Sequence, residues 1–112
     1  MNYTLDQLLA LEAIHREGSF AGAAGVLHRA TSAISYSIKS LESALDVQIF
    51  DRTGHRAVLT PAGELVLLEA GRVLGQARRL EQVGRELHSG YEPRLSVVLD
   101  GLLPMPPVMR AM

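Results

Sequence analysis

The sequence predicts a mainly α chain, with a small helical head closed by a two-stranded hairpin and then one long helix. Three observations predict it. Apolar residues recur at spacings of three and four in separate stretches, each opening on a residue that caps helices. Before Pro61, strand-like residues are confined to two short runs, QIF and AVL, either side of DRTGHR. From Pro61 to about Ser89 only glycines interrupt the helical pattern. With two Phe, three Tyr and no Trp in 112 residues, the core has to be aliphatic.

The first helix starts at Thr4, and Gln7 completes a capping box. Leu5, Leu8, Leu9, Leu11 and Ile14 give it one apolar face and a shoulder. Gly18 stops it and Ser19 caps the next helix. Phe20, Ala21, Ala23, Ala24, Val26 and Leu27 form that short helix, whose alanines let a neighbour approach closely. Gly25 inside it costs about 1 kcal/mol against Ala, which implies a packing reason. His28, Arg29 and Ala30 turn the chain, and Thr31 or Ser32 caps a third helix ending at Leu45.

The third helix has two faces. Ile34, Ile38, Leu41 and Leu45 line one side, and Ser32, Ser35, Tyr36, Lys39 and Ser43 line the other. Hydroxyls bond phosphates or bases, a tyrosine adds apolar contact, and a lysine neutralises phosphate. Taken alone, such a face is more often a bland solvated one, because Ser-rich faces are common. Two short helices, a tight turn and a two-faced second member make a helix-turn-helix, a pattern that a generic three-helix bundle shares.

Asp46 and Val47 end the helix, and Gln48, Ile49 and Phe50 read as a strand. Asp51 to Arg56 form the hairpin tip, with Gly54 available for a left-handed turn, and Ala57, Val58 and Leu59 return. Such a hairpin is a wing, from which Arg52 and Arg56 reach phosphates or the adjacent minor groove. Asp51 orients the turn or pairs with Arg52. Thr60 then caps a helix with Pro61 at its first position and Glu64 closing a capping box.

Along that helix Val66, Ala70, Val73, Ala77, Leu80, Gly84 and Leu87 repeat as a heptad seam. At 1.5 Å per residue it is about 40 Å long, more than a small head covers, so a second chain is its natural partner. Residues 89–93 read as a linker and Arg94 to Asp100 as a strand, which cannot stand alone. The expected organisation is therefore a head over 1–60, a dimerisation helix over 61–89, and a linker with the truncated start of an α/β domain over 90–112.

Charge cuts both ways. The balance of 11 basic and 12 acidic residues, net −1, is not that of a strongly basic nucleic-acid binder. Between Gly18 and Leu41, however, the only formal charges are Arg29 and Lys39, and Arg52 and Arg56 follow. There is no cysteine for a disulfide or thiolate site, no basic-then-apolar leader and no membrane-length apolar run, which fits a cytoplasmic location. His15, His28, His55 and His88 lack metal-ligand spacing and no Gly-rich phosphate loop is present, so no catalysis, metal or cofactor is expected.

Gly18-Ser19-Phe20, Ala23-Ala24, Leu27-His28, Ser32-Ala33-Ile34-Ser35, Ile38, Leu41-Glu42, Ile49-Phe50-Asp51-Arg52 and Leu59-Thr60-Pro61-Ala62-Gly63 occur in that order. This pattern, over about residues 4 to 89, is similar to the DNA-binding region of LysR-type transcriptional regulators. The resemblance implies a winged helix-turn-helix domain followed by a long dimerisation helix. It also implies an effector-binding domain whose small-molecule pocket is not in these residues. The family's DNA-contacting positions fall on Thr31, Ser32, Ser35, Tyr36 and Lys39, with Arg52 and Arg56 in the wing, and Arg29 adds a cation nearby. Thr31 stands where the family often has Gln, Tyr36 where it often has Arg, and Leu11 where an aromatic is usual. The expected partners are double-stranded DNA carrying an inverted repeat, a second copy of the chain in a dimer or a tetramer, and that effector. The alternative is a dimerising interaction module whose head no longer binds DNA.

Overall fold

The computed structural model describes residues 1–53 and 56–90. Gly54, His55 and the strand expected at Arg94 to Asp100 lie outside the described residues. The elements are α1 (Leu5–Glu17), α2 (Phe20–Leu27), α3 (Thr31–Leu45), β1 (Phe50–Asp51), β2 (Val58–Leu59) and α4 (Pro61–His88). The chain divides into two compact units, 1–75 and 76–112.

The first unit follows the local signals closely. Thr4 Oγ1 accepts from the Gln7 N–H at 3.2 Å and Gln7 Oε1 from the Thr4 N–H at 3.0 Å, completing the capping box. Gly18, at φ 83°, closes α1 by donating to the Ile14 carbonyl at 2.8 Å. Ser19 Oγ accepts from the Gly22 N–H at 2.9 Å and starts α2. His28 ends it in the left-handed region at φ 57°, uncommon for a residue with a Cβ.

Two local expectations are corrected here. Neither Thr31 nor Ser32 caps α3. Its N-cap is Ala30, whose carbonyl accepts from the N–H groups of Ala33 and Ile34 at 3.0 and 3.2 Å, so both hydroxyls sit inside the first turn and are exposed. Gly25 has no packing reason, because a Cβ built there meets nothing within 4 Å; the crowded glycine of α2 is Gly22, whose Cβ would lie 2.9 Å from Glu17 Cβ.

The core joins Leu8, Leu11 and Ile14 of α1, Ala23 and Ala24 of α2, and Ile34, Ile38 and Leu41 of α3 to Ile49, Phe50, Ala70 and Leu74. Leu45 leaves the buried stripe and is partly exposed. The hairpin is antiparallel, pairing Phe50 with Leu59 and Asp51 with Val58. Its first strand starts later than Gln48 because the Ile49 N–H is diverted from the residue opposite it, Thr60. That N–H donates to the Glu42 carboxylate at 2.8 Å, and the Ile49 carbonyl accepts from the Thr60 N–H at 2.9 Å.

The start of α4 uses Thr60 as expected, with its Oγ1 accepting from the Gly63 N–H at 2.8 Å. The capping box with Glu64 does not form. Glu64 is four residues beyond Thr60, not three, and the Thr60 N–H is already engaged by Ile49. The first half of α4 also has a core of its own to lie on, contrary to expectation: Ala70 and Leu74 are each 3% exposed and Val66 packs against them. Farther along, Val73, Leu80 and Leu87 are exposed, as is Gly84, while Ala77 is half-buried.

Candidate nucleic-acid interface

The polar side of α3 forms a continuous ridge. Ser32, Ser35, Lys39 and Ser43 follow one another one turn apart, and Tyr36 stands beside Ser35, one turn before Lys39. Thr31, Ser32, Lys39 and Ser43 are exposed, and Ser35 is half-buried in the ridge floor. Tyr36 is 73% exposed, an aromatic ring held in solvent by a helix whose opposite face fixes it in the core. Among the described residues no carboxylate pairs with Lys39. The ridge therefore offers hydroxyls, one phenol and one unneutralised cation, a set able to bond phosphate oxygens and base edges.

The structure separates the arginines expected beside this ridge. Arg56 is exposed on the hairpin. Arg52 is not an open phosphate ligand: its Nη2 donates to Glu42 Oε1 at 3.3 Å, and its guanidinium lies over the Phe20 ring, 5.2 Å from the centroid. The planar guanidinium suits both contacts at once. Arg29 pairs with Asp6 at 3.6 Å, both largely exposed, a pairing of little energetic weight. Asp51 does not pair with Arg52. Its Oδ1 accepts from the Thr53 N–H at 2.9 Å and the Thr53 hydroxyl at 2.8 Å, which orients the turn. The backbone bond, then the hydroxyl bond, hold the Asp51 carboxyl below its ordinary range.

Glu42 and Phe20 are the neighbours that sequence reasoning passed over. Glu42 was visible as the lone acid on the polar side of α3, the signal for a buried or paired role. Its side chain is only 16% exposed and accepts from the Ile49 and Phe50 N–H groups as well as from Arg52. Among the described residues no cluster of His, Asp or Glu is placed to hold a metal, and no helix is long and apolar enough to cross a membrane.

Three short helices, a two-faced third helix and an adjoining hairpin define a winged helix-turn-helix protein. Residues 5–64 match the family described as bacterial regulatory helix-turn-helix protein, lysR family, and the chain belongs to it. This is a family of regulators rather than enzymes. Over 104 residues the chain is 41% identical to the uncharacterized HTH-type transcriptional regulator YeeY of Escherichia coli (strain K12), covering 93% of this chain and 34% of that protein. It is 46% identical over 104 residues to the probable HTH-type transcriptional regulator YhaJ of the same organism, covering 92% and 35%. The chain thus spans about a third of the length of these relatives. The crystal structure of a BenM DBD/catB site 1 DNA complex is similar at a TM-score of 0.75 and 27% identity, covering 80% of this chain and 96% of that one.

Proposed function

We propose that the chain is the DNA-binding part of a sequence-specific LysR-type transcription regulator, reading an interrupted inverted repeat as a homodimer or a higher oligomer. The observation that carries this is the ridge on α3, where Thr31, Ser32, Ser35, Tyr36 and Lys39 share one side of a helix whose other side is core. Placed in a major groove, Ser35 points to the floor, Tyr36 adds apolar and hydroxyl contact, and Lys39 meets phosphate. Arg56 extends the contact from the wing, with Arg29 and Arg52 as secondary cations because each already has an acidic partner. The similarity to a domain crystallised with DNA supports the reading.

The head over 1–60, the dimerisation helix over 61–89 and an effector domain beginning within 90–112 complete it. Exposed Val73, Leu80 and Leu87 supply the apolar part of the seam. Two heads joined this way gain effective concentration, which offsets the weak charge of each. Selection of genomic fragments on the purified chain tests the proposal, and the recovered DNA should share two related half-sites about one helical turn, or a multiple, apart. The near-neutral charge favours the second reading, a dimerising interaction module. Recovery of no common sequence by a chain that still dimerises would select it.

A further inference from the structure

We propose that Glu42 is a positioning residue for DNA binding, setting where the wing stands beside α3 so that Arg56 reaches phosphate. This rests on the DNA-binding reading of α3. The hairpin pairs only two residues on each strand, and so short a ribbon has no stability of its own. Its placement has to come from anchors outside it. On the α4 side the anchor is backbone, where Thr60 bonds Ile49 and Gly63 abuts it. On the α3 side Ile49 and Phe50 are buried in the core, and one carboxylate holds their N–H groups.

Glu42 Oε2 accepts from the Ile49 N–H at 2.8 Å and the Phe50 N–H at 3.3 Å, and Oε1 accepts from Arg52 at 3.3 Å. The Arg52 guanidinium is backed by the Phe20 ring of α2, which meets the Phe50 ring edge-on with centroids 5.4 Å apart. Three donors from the start of the wing therefore converge on one side chain of α3. That side chain lies three residues beyond Lys39, so the helix that presents the ridge also holds the wing. A mostly buried carboxylate with three charge-assisted bonds fixes geometry more sharply than an apolar contact does. Its pairing with Arg52 also removes the repulsion an acid beside DNA would otherwise exert.

The test is the salt dependence of affinity, because its slope counts neutralised phosphates. Glu42→Gln, Arg56→Ala and the double variant are titrated against a labelled duplex enriched by the parent chain. In the parent, Arg56→Ala should lower the slope by about one unit. Glu42→Gln also releases Arg52, so the decision lies in the differences: in that background Arg56→Ala should remove nothing further, while Lys39→Ala still removes about one. A merely structural Glu42 would lower the folded fraction and leave the Arg56 unit intact, and that result overturns the proposal. Arg52→Lys, which keeps the charge but not the planar fork, gives the same decision if circular dichroism finds Glu42→Gln unfolded. If the parent binds no duplex at any salt, the DNA-binding reading itself falls, a failure distinct from additive slopes.

Discussion

Gly63 sets its α-carbon against the backbone of Ile49. A Cβ at Gly63 would overlap the Ile49 carbonyl oxygen and lie 2.9 Å from the carbonyl carbon. The same carbonyl accepts the Thr60 N–H, so the hairpin and α4 are joined backbone to backbone where neither can yield cheaply. Gly63→Ala should destabilise the head by about 3 kcal/mol, lowering its melting temperature by more than about 10 °C. Gly25→Ala, with open space around its Cβ, should instead gain about 0.5–1 kcal/mol from helix propensity. Thermal melts of the two variants check both signs.

The two wing arginines should separate. Arg52 touches Glu42 and Phe20, so Arg52→Ala should lower stability by about 1 kcal/mol. Arg56 is exposed, and Arg56→Ala should leave the melting temperature unchanged and weaken DNA binding. Melting curves and gel shifts on both variants decide it, and equal melting temperatures would contradict the clamp.

Asp51 gives the wing a dependence on acid. Its folded carboxyl titrates below the ordinary value of 3.8 because the Thr53 N–H and hydroxyl favour the charged form. The stabilisation is complete above that value and is lost as pH falls through the lower folded one. Asp51→Asn should therefore flatten the pH dependence of wing order below about pH 4. A carboxyl titration by NMR that places Asp51 at or above 3.8 would contradict the turn geometry.

The dimer is tested at Leu80, which is 72% exposed. Leu80→Asp places a charge in the proposed seam without touching the head's core. Sedimentation should show monomer, and DNA affinity should drop although the α3 ridge is unaltered. A variant that remains dimeric places the interface elsewhere.

Much of this was legible in the residues because the signals were local. Thr4 with Gln7, Gly18 with Ser19, and the spacing of Ile34, Ile38 and Leu41 each predict an element that formed. What escaped were choices made between distant parts of the chain. Whether Thr31 caps α3 depends on Ala30 offering its carbonyl first. The seam hid the fact that Ala70 serves the head's own core, since small residues at heptad spacing suit a close intramolecular contact as well as a partner. The expected role of Arg52 missed Glu42 ten residues earlier, because an ion pair across a turn of chain leaves no periodic trace. Gly63 stood in a recognisable motif, but its reason is the backbone of Ile49, which only the folded chain brings near.

If the polar side of α3 reads duplex DNA, Lys39 is the residue whose loss should show it. Binding of the purified chain to its enriched duplex is measured at a series of salt concentrations, beside Lys39→Ala. The expected result is a log affinity falling linearly with log salt, with the slope lowered by about one unit in the variant and the fold unchanged by circular dichroism. Equal affinity and equal slope for the two proteins would contradict it, and α3 would then be a solvated helix rather than a reading one.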